Sequence, residues 1–188
     1  MNLTISVEPT SEPVTVDEQQ AWSRITDEGE GDALERLIVA ARHHVEVLVQ
    51  RSLMTQTLVA RYDSFPCEFV LERPPVQSVT SIQYIDTNGT TQALSTAYYQ
   101  ADLFSVPPRI VLRDGYSWPA TDDQLNAVTI TYVAGYASRD LVPMPIRHAI
   151  SMLVDHWYEN RGPVLIGQPV AEIPMSVREM LFPYRVWL

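Results

Sequence analysis

Lysine is absent from this sequence, and all thirteen of its basic residues are arginine. That usage is compatible with codon bias in the source, and it also suits planar, bidentate pairing at an interface better than lysine would. The arginines are scattered, which excludes the footprint by which a protein grips nucleic acid, because neutralising phosphates takes grouped positive charge. Cysteine is nearly absent as well. Cys67 stands alone, so neither an intrachain disulfide nor a thiolate zinc site can form. No apolar run approaches the roughly 20 residues of a membrane helix. The start, MNLTISVEPTSEPVTVDEQQ, has no basic stretch leading into an apolar one. The expectation is a soluble protein made and kept in the cytoplasm, with no membrane contact. GxSxG, P-loop, GxGxxG, HExxH and EF-hand spacings do not occur. These absences point away from an enzyme and from any cofactor or metal.

What is there is enough for a folded domain. The chain has 188 residues, 46% of them hydrophobic, and can bury a proper core. Its net charge of −10 is lopsided: residues 1–35 hold nine acids against Arg24, while the remainder is close to balanced. Residues 1–14 are polar and carry Pro9 and Pro13, so they read as a mobile or extended arm that only a partner would order. Thr15 and Glu18 have the spacing of a capping box and predict a short helix to about Ile25. From Asp32 to about Leu53, Leu34, Leu37, Ile38, Ala41, Val45, Leu48 and Val49 recur at three- and four-residue steps and predict a long amphipathic helix.

The period then changes. Segments such as EFVLE, RIVLRD and AVTITYVAGY are rich in Val, Ile, Thr and Tyr and are separated by turn residues, predicting five to seven strands. Asn88-Gly89 suits a type I′ turn, so residues 78–95 read as a hairpin. Helix returns after VPMPI and runs from Ile146 to Arg161, where Gly162-Pro163 stops it. A Pro- and Gly-rich arm, VLIGQPVAEIP, a short helix MSVREMLF and the apolar end PYRVWL follow. Together these segments predict an α+β fold: a small bundle of N-terminal helices (15–53) and C-terminal helices with a docking tail (137–188), one domain with an antiparallel β module (54–136) inserted, preceded by the arm (1–14).

LVDHWYENRGP, residues 153–163, resembles an active site when read as letters. At about 100° per residue, however, Ile146, Ala149, Ile150, Leu153, Val154 and Trp157 share one arc, which makes Trp157 a core anchor. His148, Asp155 and Glu159 fall on the opposite face, suited to solvent or an interface. The alternative is a cation site from Asp155 and Glu159, which one turn brings together. His156 sits at the margin of the arc as a structural histidine. His43 and His44 point about 100° apart and read as a surface or interface pair. Cys67 lacks a setting that would activate its thiol. The aromatic end, with Tyr184, Val186, Trp187 and Leu188, suggests docking on the chain's own core or on a partner.

Four stretches taken in order carry a resemblance: GDALERLIVAARHHVE, LERPPVQSVTSIQYIDTNG, TITYVAGY, and IRHAISMLVDHWYENRGPV with VREMLFPYRVW. Over roughly residues 15–188 the chain resembles the head-tail connector (adaptor) proteins of long-tailed bacteriophages and phage-derived particles, the gp6-like group. That resemblance implies a structural homo-oligomer, a ring of twelve copies beneath the portal protein. A tail-side stopper or terminator protein would bind below, and DNA would pass through the channel without sequence-specific binding. It also implies a place in the virion, at the neck between capsid and tail, after assembly in the host cytoplasm. The candidate subunit or portal interface comprises Asp155, Glu159, Arg161, Tyr184, Arg185, Trp187 and Leu188. A second reading is a β-sandwich binding module that presents Tyr62, Tyr84, Tyr98, Tyr99, Tyr116 and Trp118 to a glycan or peptide.

Overall fold

The computed structural model of the chain describes residues 2–160 and 175–187. It is α+β and divides into two compact units. One comprises Met1–Thr10, Thr55–Tyr136 and Val186–Leu188, and the other Ser11–Met54 and Ala137–Arg185.

The first unit is antiparallel β structure. Strands β1 (Asn2–Val7), β2 (Gln56–Tyr62), β4 (Val76–Ile85), β5 (Thr91–Ala93) and β8 (Val128–Ala134) form a five-stranded sheet in the order β1-β2-β8-β4-β5. Strands β3 (Glu68–Val70), β6 (Tyr99–Asp102) and β7 (Arg109–Leu112) form a second sheet in the order β3-β7-β6. Alternation selects the buried face: along β8, Val128, Ile130, Tyr132 and Ala134 are buried while the residues between them are not. They join Leu58 and Ala60 of β2, Ile82 of β4, and Phe69, Tyr99 and Ile110 of the second sheet in one apolar cluster. Tyr132 keeps its hydroxyl paired by donating to Glu72 O at 2.9 Å, and Tyr62 likewise donates to Val70 O at 3.2 Å. Burial pushes the Tyr62 phenol up to about 12, with the nearby Glu72 acting in the same direction.

Two expectations for this unit are corrected. Residues 2–7 are an edge strand paired with β2, from Asn2 opposite Arg61 to Val7 opposite Thr57, with a bulge after Ile5. The chain's own sheet orders them, and no partner is needed for that. The hairpin of β4 and β5 is present, but its turn is not type I′, because only Gly89 of the pair takes a positive φ, 76°. Gly89 N donates to Asp86 O, and the Asp86 carboxylate accepts from Asn88 N and Thr90 N. Those bonds hold a three-residue loop with one left-handed position, which glycine fills without strain.

The second unit is helical. Helix α1 (Val16–Ser23) opens with the expected capping box: Thr15 Oγ1 accepts from Glu18 N, and Thr15 N donates to Glu18 Oε2. It closes at Arg24, in the left-handed region. Helix α2 (Gly31–Val49) buries Leu34, Ile38, Ala41, Val45 and Val49. It ends four residues before the expected end at about Leu53, because Gln50 turns left-handed (φ 55°) and Glu46 Oε1 captures Leu53 N at 2.7 Å. Helix α3 (Met144–Glu159) starts after Pro143 with Pro145 in its first turn, where a missing N–H costs little. It packs mainly on α2 and buries Ile146, Ala149, Ile150, Leu153 and Val154. Helix α4 (Met175–Leu181) and a turn of 3-10 helix over Phe182–Tyr184 follow, with Val177 and Leu181 buried. Among the described residues no helix is long and apolar enough to cross a membrane.

Candidate functional site

Burial separates the candidate interface residues on α3. Asp155 and Trp157 are half-buried and Glu159 is exposed. The fully buried side chains lie nearer the start of the helix, and Trp157 meets the ring of His44 edge-on at 6.0 Å. His44 therefore packs against an aromatic neighbour and does not form a surface pair with His43. Its Nε2 is buried without a hydrogen-bond partner, and burial, aided by the Arg178 guanidinium, holds its pKa below the ordinary imidazole value. No group of three or more His, Cys, Asp or Glu side chains able to hold a metal occurs among the described residues, so Asp155 and Glu159 gain no further ligand there.

At the C-terminal end of the same unit, Tyr184 is half-buried and its carbonyl accepts from Arg51 Nε at 2.6 Å. That bond ties the last turn to the end of α2. Arg185 is exposed and, with Leu48, Arg178, Leu181 and Phe182, lines a groove of about 310 Å³. Apolar walls carry two guanidinium groups at this place. Val186 and Trp187 belong to the β unit, the first buried and the second 64% exposed. Arg161, Leu188 and the VLIGQPVAEIP arm lie outside the described residues. Of the candidate residues among those described, only Arg185 lines the groove; Asp155, Trp157 and Glu159 stand together by being on one helix.

Three features escaped sequence reasoning. Inside the helical unit Arg42 donates to Glu12 Oε2 at 2.7 Å and to Glu46 Oε2 at 3.1 Å, with both Arg42 and Glu46 buried. The i, i+4 spacing of Arg42 and Glu46 was the available signal, but it is equally common on solvated faces. Glu18, beyond its capping role, accepts from Arg147 Nη2 at 2.9 Å and lies 3.6 Å from Arg139 Nη1. Partial burial pushes the Glu18 pKa up, but the Thr15 N–H and the Arg147 and Arg139 guanidinium groups outweigh it, so it lies below the ordinary carboxylate value. On the β unit, Phe104 is 99% exposed at the tip of the β6–β7 connection. Asp102 pins that tip: Oδ1 accepts from Phe104 N and Ser105 N, and Oδ2 accepts from Ser105 Oγ at 2.6 Å.

The aromatics of the second reading are committed elsewhere. Trp118 stacks on Phe65 at 4.9 Å, Tyr62 meets Phe69 edge-on, and Tyr99 is buried. Tyr62, Tyr84, Tyr98 and Trp118 all pack against the apolar cluster, and Tyr116 rests on Tyr98 at 5.0 Å. A glycan platform needs such rings facing outward, and of these six only Tyr116 is exposed.

No curated protein matches the chain at a significant level. Among solved structures, the chain is similar to a subunit in the neck of an empty gene transfer agent (GTA) particle computed with C6 symmetry. That match has a TM-score of 0.82 and 22% identity, covering 100% of this chain and 97% of the other. A subunit in the virion of the native GTA particle matches with a TM-score of 0.80 and 21% identity, at the same coverage. A third, from the neck of the native particle computed with C12 symmetry, has a TM-score of 0.71 and 21% identity. At that identity the likeness establishes the fold. The sequence itself matches the model of the head completion protein family over residues 12–187, and the chain belongs to that family.

Proposed function

We propose that this protein is a structural head-tail connector subunit, of the gp6-like adaptor type, that forms a ring of twelve copies beneath the portal of a tailed phage or phage-like particle. The observation that carries this reading is the match to the head completion family over residues 12–187. The likeness to neck subunits computed with C6 and C12 symmetry supports it. In this reading the ring joins capsid to tail at the virion neck, receives a stopper or terminator protein on its tail side, and encloses a channel for DNA. The net charge of −10 suits passage, since an acidic wall repels the phosphate backbone. A ring built by rotation needs two unlike faces on each copy, and the groove beside Arg185 and the exposed side of α3 with Asp155 and Glu159 are proposed contributors. Arg161 would pair across the subunit or portal boundary, and the segment through Tyr184, Arg185, Trp187 and Leu188 would dock on the portal.

The test is assembly of the full chain with and without the portal protein of the same particle, followed by negative-stain microscopy and mass photometry. Rings with a central channel, bound coaxially to the portal, are the expected outcome. A monomer that neither self-associates nor binds the portal overturns the reading. Arg161→Ala and Trp187→Ala, the latter at a 64% exposed side chain, should each weaken portal binding while leaving the fold intact; unchanged attachment removes that residue from the interface.

A further inference from the structure

A phenylalanine at 99% exposure is unusual even on a surface where single apolar residues are common. Phe104 is also held in place. The Asp102 carboxylate accepts from two backbone N–H groups and one hydroxyl of the tip, and Arg109 Nε lies 3.6 Å from it. Those bonds keep the Asp102 pKa below the ordinary carboxylate value, with the Ser105 hydroxyl the main cause. Val106, two residues on, is 56% exposed. The result is an apolar knob whose shape is fixed before any partner arrives, which lowers the ordering cost of binding.

The helical unit carries a receptor of matching character. Its groove has Leu48, Leu181 and Phe182 as walls and Arg178 and Arg185 among its lining. A dry cavity of about 150 Å³ accommodates benzene, so about 310 Å³ has room for a benzyl group and part of a flanking side chain. Guanidinium groups beside such a site favour the face of an aromatic ring. We infer that Phe104 of one copy inserts into the Leu48–Arg178–Leu181–Phe182–Arg185 groove of the neighbouring copy. Knob and groove would then be the two unlike faces that a head-to-tail contact requires. This rests on the ring reading above and adds to it which surfaces meet.

The test uses the full chain with Cys67→Ser as background. Phe104→Cys and Leu48→Cys are introduced together and separately, and assembled material, alone or on the portal, is treated with a short bismaleimide. A ladder of covalently linked subunits from the double variant, absent from either single variant, is expected. Phe104→Ala should weaken subunit association by about 30-fold, as loss of a central aromatic anchor does, with an unchanged thermal melt because the side chain touches no core. Rings that form without a ladder, or a Phe104→Ala chain that assembles like the parent, overturn the inference and leave the connector reading standing. A parent chain that forms no ring, alone or on the portal, overturns both.

Discussion

The two units of this chain use polar groups in opposite ways. In the β unit the core cluster is apolar and aromatic, Gln56 is a buried polar side chain beside it, and an ion pair between Asp102 and Arg109 lies at the surface. In the helical unit charge goes inside: Arg42 bridges Glu12 and Glu46, Glu46 also holds Leu53 N, and Arg147 joins Glu18 to Pro13 O. Gln19 is fully buried on α1 and donates to Ser151 O of α3 at 3.2 Å. A period-two pattern can specify a sheet face almost by itself. Helices packed through stripes can slide and rotate, and directional bonds such as these fix where each one stops.

That contrast can be broken most severely at Arg42. Arg42→Met strands a buried Glu46 carboxylate and should cost about 4 kcal/mol, read by equilibrium urea unfolding. Adding Glu46→Gln should recover part of the loss, since the fully buried charge is then removed and only the partly exposed Glu12 carboxylate has lost its guanidinium; no recovery would mean that packing, not charge, was lost. In the β unit the comparable wound is a cavity. Ile130→Ala should cost about 3 kcal/mol through lost burial, with hydrogen exchange locating the loss in β2, β4 and β8. A smaller effect tests the polar exception there: Tyr132→Phe leaves Glu72 O without its donor and should cost about 1–2 kcal/mol.

The smallest and most discriminating effect concerns pH. The folded pKa of Glu18 is depressed, so the unfolded chain binds more protons in the acid range. Its contribution is complete above the ordinary carboxylate pKa and is lost as pH falls through the lower folded value. Glu18→Gln should therefore lower stability at neutral pH and flatten the acid limb of the stability profile. An identical acid limb in parent and variant would assign that limb to other carboxylates.

Much of this architecture was legible in the sequence, and the limits of that legibility are physical. The capping box at Thr15, the stripe of α2, the hairpin around Gly89 and the start of α3 after Pro143 are all local, set by residues within a few positions of each other. What escaped depends on distant partners. Nothing in NLTISV announces that it will lie along residues 57–61, because pairing at that separation leaves no periodic trace. Glu12 gives no sign that its partner is Arg42. The end of α2 was misplaced because Leu53 is buried for tertiary reasons after the helix has already stopped. At the candidate interface, sequence reasoning singled out Arg185 and missed the groove around it and the Phe104 knob. A groove is a property of several elements together, and exposure of one phenylalanine cannot be read from its neighbours.

The pairing of β1 with β2 also has a consequence for synthesis. The ribosome releases β1 first and its partner only after all of α1 and α2 has been translated. At about 5–20 residues per second, that leaves an uncharged strand waiting roughly 2–10 s for its mate. The nine acids of residues 1–35 emerge in that same interval, so each nascent chain carries strong like charge next to its sticky edge. On a polysome, neighbouring unfinished chains would repel one another through the moments when they are most able to pair wrongly.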